Sequence, residues 1–185
     1  IFPMIFSIIT ANRLIARHVD RGSMAYLLAS PNTRFKIVFT QLVNLAVSIT
    51  VLLLYAASLI IVCSEAMFPG ELEIGRFIMM NLGVLLLHLA IGSICFFASC
   101  ISNDTKTSFL IGAGIPILFY LMQMLANVGD KLEVIKYFTI FSLFDVKAIL
   151  AGESYVGWMF MALAGIAVLL YTAGIVIFTK RDLSV

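Results

Sequence analysis

Polar side chains recur at helical spacing inside long apolar runs, and these are the residues of the chain that could do chemistry. Gln41, Asn44, Ser48, Tyr55 and Ser58 follow one another at steps of three, four, seven and three, so one helix face carries them all. Asn81, His88, Gly92, Cys95 and Ser99 share a second face in the same way, and Gly112, Pro116, Tyr120, Gln123 and Asn127 a third. Polar groups are costly in hydrocarbon and turn toward protein or a water-filled path. Helix packing and the lining of a solute route both satisfy that rule, and the stripes alone favour packing.

His88 is the one ionisable residue well inside an apolar run. A proton relay or a substrate contact would use it, but a relay needs a carboxylate partner at the same depth, and none is present. A neutral, hydrogen-bonded packing role is therefore favoured. The same lack of intramembrane carboxylates argues against a stand-alone proton- or sodium-coupled carrier, so energy for transport would come from another subunit.

Enzyme signatures are missing. No HExxH, GxSxG or paired-carboxylate pattern occurs. Gly70-Glu71-Leu72-Glu73-Ile74-Gly75-Arg76-Phe77 resembles a phosphate loop only in its glycines, because it lacks the Lys and the Ser/Thr that would hold phosphate and magnesium. Cys63, Cys95 and Cys100 lie in or beside apolar runs without CxxC spacing, so they read as packing residues rather than a disulfide or metal set. A net charge of +2 is too small to point to nucleic acid.

The elements that position these residues follow from composition. Of 185 residues, 62% are hydrophobic and 12% charged, with mean hydropathy +1.10. A soluble domain carries roughly 25% charged residues, and one core of this size could not hide so much apolar surface. The fold class is all-α integral membrane, a polytopic helical bundle. A bilayer crossing takes about 20 apolar residues, and the runs 37–63, 77–100, 108–126 and 157–179 meet that requirement. Residues 1–11 form a partial run. The chain opens on Ile1 inside it, which suggests a single transmembrane domain lacking its N-terminal part, four full spans and one partial of a probable six.

Charge orients the bundle. Eight of the twelve Lys and Arg fall in 12–36, 102–107 and 180–185, with the acids Asp20, Asp104 and Asp182. The other connections hold Arg76, Lys131, Lys136 and Lys147 against seven acids. The positive-inside rule then places the C-terminus and segment 12–36 in the cytoplasm of a multi-pass cell-membrane protein. Segment 127–156 alternates apolar and charged residues and reads either as short helices in the outer interface or as a plain loop. Within it, Ser142-Leu143-Phe144-Asp145 has the form of a capping box before a short helix that Gly152 could end.

Segment 12–36 is the most informative connection. Arg13 and Arg17 stand one turn apart, so the first helix is expected to continue out of the membrane. Gly22 breaks it, Ser23 can cap a short helix over 24–29, and Pro31 ends that helix. The product is an apolar-aromatic knob carrying Met24, Tyr26, Leu27 and Leu28, suited equally to a socket in a partner protein and to the lipid surface.

The stretch Asp20-Arg21-Gly22-Ser23-Met24-Ala25-Tyr26-Leu27-Leu28-Ala29-Ser30-Pro31-Asn32-Thr33-Arg34 resembles the segment between the second and third membrane helices of ABC-2 type permeases. These are the membrane subunits of type-2 ATP-binding-cassette exporters. The ending Phe178-Thr179-Lys180-Arg181-Asp182-Leu183 resembles that family's finish after its sixth helix, and the order of spans fits throughout. The resemblance implies a coupling helix at about 21–30 that docks on a separate ATPase, with Asp20, Arg21, Gly22, Tyr26 and Leu28 as coupling residues. It implies a second permease copy or homologue, and ATP and magnesium bound by the ATPase, with no cofactor on this chain. Tyr120 and Gln123 become the leading substrate-path residues, with Asn44 and His88 beside them, and membrane lipid surrounds the whole. The resemblance thus points to the permease subunit of an ATP-driven exporter. The physical reading alone also leaves open a non-transporting assembly or sensory subunit.

Overall fold

The computed structural model describes residues 1–16, 18, 33–127 and 138–180. Helix α1 covers Phe2–Leu14 and carries Pro3 in its first turn, where a fixed φ and a missing amide hydrogen are tolerated. Helices α2 (Arg34–Met67), α3 (Ile74–Ile101) and α4 (Thr105–Ala126) follow. A 3-10 turn at Ile140–Leu143 leads to the short α5 (Val146–Ala151) and then α6 (Val156–Lys180). Four of these, α2, α3, α4 and α6, are long and apolar enough to cross a membrane, and no strand occurs among the described residues. The protein is a polytopic α-helical membrane bundle.

Local chemistry sets the helix starts. Thr33 caps α2 by accepting a hydrogen bond from the Lys36 amide at 3.3 Å, and Asp104 caps α4 by accepting one from the Thr107 amide at 2.7 Å. Between α2 and α3 the chain reverses at Gly70, whose φ of +79° lies in the left-handed region that glycine tolerates. At 34 residues α2 is about 50 Å long at ~1.5 Å per residue. The hydrocarbon core is roughly 30 Å thick, so α2 must tilt or project beyond it.

Helix α3 is the hub. From Leu87 to Cys100 every residue but Leu89 and Phe97 is buried, because α1, α2, α4 and α6 all pack around it. The surrounding helices bury only narrow stripes, such as Val38, Leu45, Ile49 and Leu53 on α2. On α6 the stripe is Leu163, Ala167, Tyr171, Gly174 and Phe178. Their other faces expose large apolar side chains, including Leu110, Trp158 and Leu169 at 74%, 73% and 69%, a surface that suits lipid and not water. Small residues let the helices approach. A Cβ on Gly112 would lie 3.4 Å from the Cys95 Cα, and one on Gly174 would lie 3.3 Å from the Phe96 ring.

The connection before α6 is anchored by aromatic side chains. Phe144 and Phe160 both press on the site of Gly83, where an added Cβ would come within 2.9 Å of each ring. The capping box expected at Ser142 does not form. Ser142 instead donates its hydroxyl to the Thr139 carbonyl at 2.7 Å, and Asp145 is itself the N-cap of α5, accepting from the Lys147 amide at 2.9 Å. The 3-10 turn occupies the residues on which the box would have started α5. Gly152 does end α5, with φ +72° and the Glu153 amide donating back to the Ala148 carbonyl at 3.1 Å.

Candidate functional site

The three polar stripes meet different fates. On α3 each polar group is engaged inside the protein. The Asn81 amide donates to the Phe77 carbonyl at 2.8 Å, and His88 Nδ1 lies 2.8 Å from the Val84 carbonyl one turn earlier. Ser99 accepts a buried hydrogen bond from the Ala16 amide at 2.9 Å. That bond ties the end of the α1 segment to the end of α3, across 83 positions of sequence.

Cys95 has a role that its spacing did not disclose. Pro116 lies inside α4 and has no amide hydrogen, so it leaves the Gly112 carbonyl without its usual helical donor. Cys95 Sγ donates to that carbonyl at 3.1 Å from across the helix interface. A proline in a membrane helix is tolerated where a neighbouring group re-satisfies the freed carbonyl, and here a thiol does so. Both Pro116 and Gly112 are buried against α3.

Further along α4, Tyr120 and Gln123 face the connection before α6. The Tyr120 ring meets Phe141 edge-on at 6.0 Å between centroids, and Gln123 Oε1 accepts from the Thr139 hydroxyl at 3.1 Å. Asn127, at the C-cap, is exposed.

The α2 stripe differs from both. Asn44, Tyr55 and Ser58 are exposed, and Gln41 and Ser48 are half-buried. The Ser48 and Ser58 hydroxyls donate back to the Asn44 and Tyr55 carbonyls at 2.7 and 2.8 Å. An open groove of about 430 Å³ runs along this face, lined by Phe6 of α1 and by Val47, Ser48, Val51, Leu52 and Tyr55. The helix thus presents amide, hydroxyl and phenol groups outward on a surface that is otherwise apolar.

Tyr171 was not singled out by the stripes, because it lies in the apolar run of α6. Its ring is buried and meets Phe96 edge-on at 5.4 Å. Its hydroxyl, buried with no hydrogen-bond partner, lies 3.0 Å from where a Cβ on Gly92 would be. The one sequence signal was a phenol in an otherwise apolar stretch. The Asn12 and Ser108 side chains also went unremarked, and each has a buried oxygen with no partner.

Asp20, Arg21, Gly22, Tyr26 and Leu28 lie outside the described residues. Their flanks do not. Ala16 is bonded to Ser99 on one side, and Thr33 caps α2 on the other. Arg13, Arg34, Lys36, Lys106 and Lys180 belong to the same end of the bundle. There the backbone amide and hydroxyl of Thr107, as hydrogen-bond donors, hold the Asp104 carboxyl below its ordinary value of 3.8. Among the described residues, no three His, Cys, Asp or Glu side chains gather as a metal set would require.

In comparisons with known proteins, the family described as ABC-2 family transporter protein matches residues 1–183. No curated protein and no solved structure matches the chain.

Proposed function

The chain belongs to the ABC-2 family of transporter proteins, and from that premise we propose that it is the membrane permease subunit of an ATP-driven exporter. The family match, which spans residues 1–183, carries the reading. The chain supplies half of a translocation path, and a second copy or a homologue supplies the other half. A separate ATPase binds ATP and magnesium and docks on the segment between α1 and α2. Asp20, Arg21, Gly22, Tyr26 and Leu28 transmit its closure. The clustering of basic residues at that end supports placing it, and the C-terminus, on the cytoplasmic side of the cell membrane.

Asn44, Tyr120, Gln123 and His88 are proposed to face the substrate during the cycle. Asn44 stands exposed on the groove-bearing side of α2, which supports this role in the resting geometry. Tyr120 and Gln123 become available when the Phe141 and Thr139 contacts release. His88, bonded to the Val84 carbonyl and buried, is reached only after α3 shifts against its neighbours.

The test is co-purification of the full-length protein with its ATPase in mild detergent. Tyr26→Glu and Leu28→Glu are expected to abolish the association while the variant permease still elutes as a folded species. A complex that survives both substitutions unchanged overturns the docking assignment.

A further inference from the structure

Helix α1, which the spacing of Arg13 and Arg17 would carry onward, is interrupted after Leu14. Ile15 leaves helical geometry, with φ −125° and ψ −62°. Ala16 and His18 are helical again, and the His18 amide donates to the Ile15 carbonyl at 2.9 Å. The stretch Asn12-Arg13-Leu14-Ile15-Ala16 holds neither Pro nor Gly, so no residue of its own forces the break. The other ordinary cause is a side chain inserted into the backbone ladder. In an unbroken helix the Ala16 amide would donate to the Asn12 carbonyl, four residues earlier. It donates instead to Ser99 Oγ of α3 at 2.9 Å. Ile15, Ala16 and Ser99 are each at most 1% exposed, so water cannot replace that bond.

Ser99 stands where a displacement would spread. Its chain neighbours Ala98 and Cys100 are points of close packing between α3 and two other helices. A Cβ on Gly112 of α4 would lie 3.4 Å from the Ala98 Cβ, and one on Gly174 of α6 would lie 3.4 Å from the Cys100 sulfur. We propose that Ser99 is a positioning residue for the ATPase contact. It fixes the chain that leaves α1 to α3, so movement of a docked ATPase is delivered to α3, and through it to α4 and α6, instead of along α1. The physical reason is stiffness. Rigid elements and buried hydrogen bonds carry coupling between distant sites; the ladder of α1 ends at Ile15, and the bond to Ser99 is the next rigid link. The inference rests on the docking reading for its partner, while the joint at Ile15 belongs to the permease alone.

Two hydrogen-exchange measurements on the full-length protein test it, one without the ATPase and one with. In the permease alone, Ser99→Ala should speed exchange of the Ala16 and His18 amides about 5- to 150-fold, while residues 4–13 of α1 stay as in the wild type. In the complex, exchange at residues 95–101 of α3 is compared without nucleotide and with MgATP trapped by vanadate. The wild type should respond there, and S99A should lose most of that response while still co-purifying with the ATPase. Ser99→Thr keeps the hydroxyl and should restore both readouts. Ser93→Ala removes an equally buried hydroxyl, one that bonds the Ala90 carbonyl within α3, and should change neither. Unchanged exchange at Ala16 and His18 in S99A overturns the joint. A wild-type α3 that ignores nucleotide, or an S99A response equal to the wild type's, overturns the coupling role. A wild type that binds no ATPase overturns the docking reading and the coupling role together, and the first measurement still decides the joint. If S99A does not fold, Ser99→Cys keeps the size and weakens the acceptor, and should give both effects at lower amplitude.

Discussion

Replacing Tyr171 by Phe should stabilise the protein, the reverse of what deleting a buried polar atom usually does. The hydroxyl is buried without a partner, and the ring's contact with Phe96 is unaffected by its loss. An unsatisfied buried hydroxyl costs about 1–3 kcal/mol in soluble proteins. Hydrogen bonds between membrane helices average only about 0.6 kcal/mol, because the membrane-unfolded state also finds partners. The expected gain is therefore about 0.5–2 kcal/mol, a factor of roughly 2 to 30 in the unfolding equilibrium. The neighbouring glycine makes the argument sharper. A Cβ on Gly92 would lie 2.8 Å from Ile49 Cδ1 and 3.0 Å from the Tyr171 hydroxyl, so Gly92→Ala alone should cost about 1–3 kcal/mol by overpacking. In the Y171F background one of those two contacts is gone, and the cost should fall by at least about 0.5 kcal/mol. Reversible unfolding of the four proteins in mixed detergent micelles, followed by far-UV circular dichroism, gives the double-mutant cycle. Destabilisation by Y171F of more than about 1 kcal/mol would show that the hydroxyl is satisfied. Strict additivity with G92A would show that the two residues do not touch.

Cys95→Ala should destabilise by about 1 kcal/mol while Cys95→Ser is nearly neutral, since serine can still donate to the Gly112 carbonyl that Pro116 frees; thermal denaturation of the two variants separates a hydrogen-bonding role from a packing one. Ser99→Ala leaves the buried Ala16 amide without an acceptor, so hydrogen exchange at Ala16 should accelerate, with a loss of about 1–3 kcal/mol. Gly83→Ala forces Phe144 and Phe160 apart and should expose residues 138–151 to limited proteolysis, at a cost of about 1–3 kcal/mol. Asp104 carries a carboxyl held below 3.8 in the folded state, so its capping contribution is complete above the unfolded value and lost as pH falls through the lower folded one. Asp104→Asn keeps a capping acceptor without the titration, and its stability profile below pH 4 should be flatter than that of the wild type.

The class of this protein was legible from composition, and so were its four long helices, because a bilayer imposes length and apolarity that any window along the chain reveals. One cap was legible, whereas Thr33 and Asp104, which cap α2 and α4, were not read from the sequence. Gly152 ends α5 as expected, yet the start of α5 was misplaced because a 3-10 turn competes for Ser142 and Phe144. The polar stripes were also visible, as a matter of spacing. Their destinations were not. The α2 stripe and the α3 stripe are both regular, yet the first stands largely open and the second, from His88 to Ser99, is buried among the neighbouring helices.

Tertiary structure decided that difference through close packing. Gly83, Gly92, Ser93, Ala98 and Ser99 make α3 narrow enough for its neighbours to surround, while the β-branched and long side chains of α2 keep all but one stripe at a distance. It also decided which polar atoms find partners. The pairing of Cys95 with a carbonyl that Pro116 leaves free joins two helices, and so does the pairing of Ser99 with the Ala16 amide. The isolation of the Tyr171 hydroxyl is set the same way, by what the neighbouring helices place beside it. Periodicity along one helix shows which residues share a face. What that face meets is settled only when the helices come together.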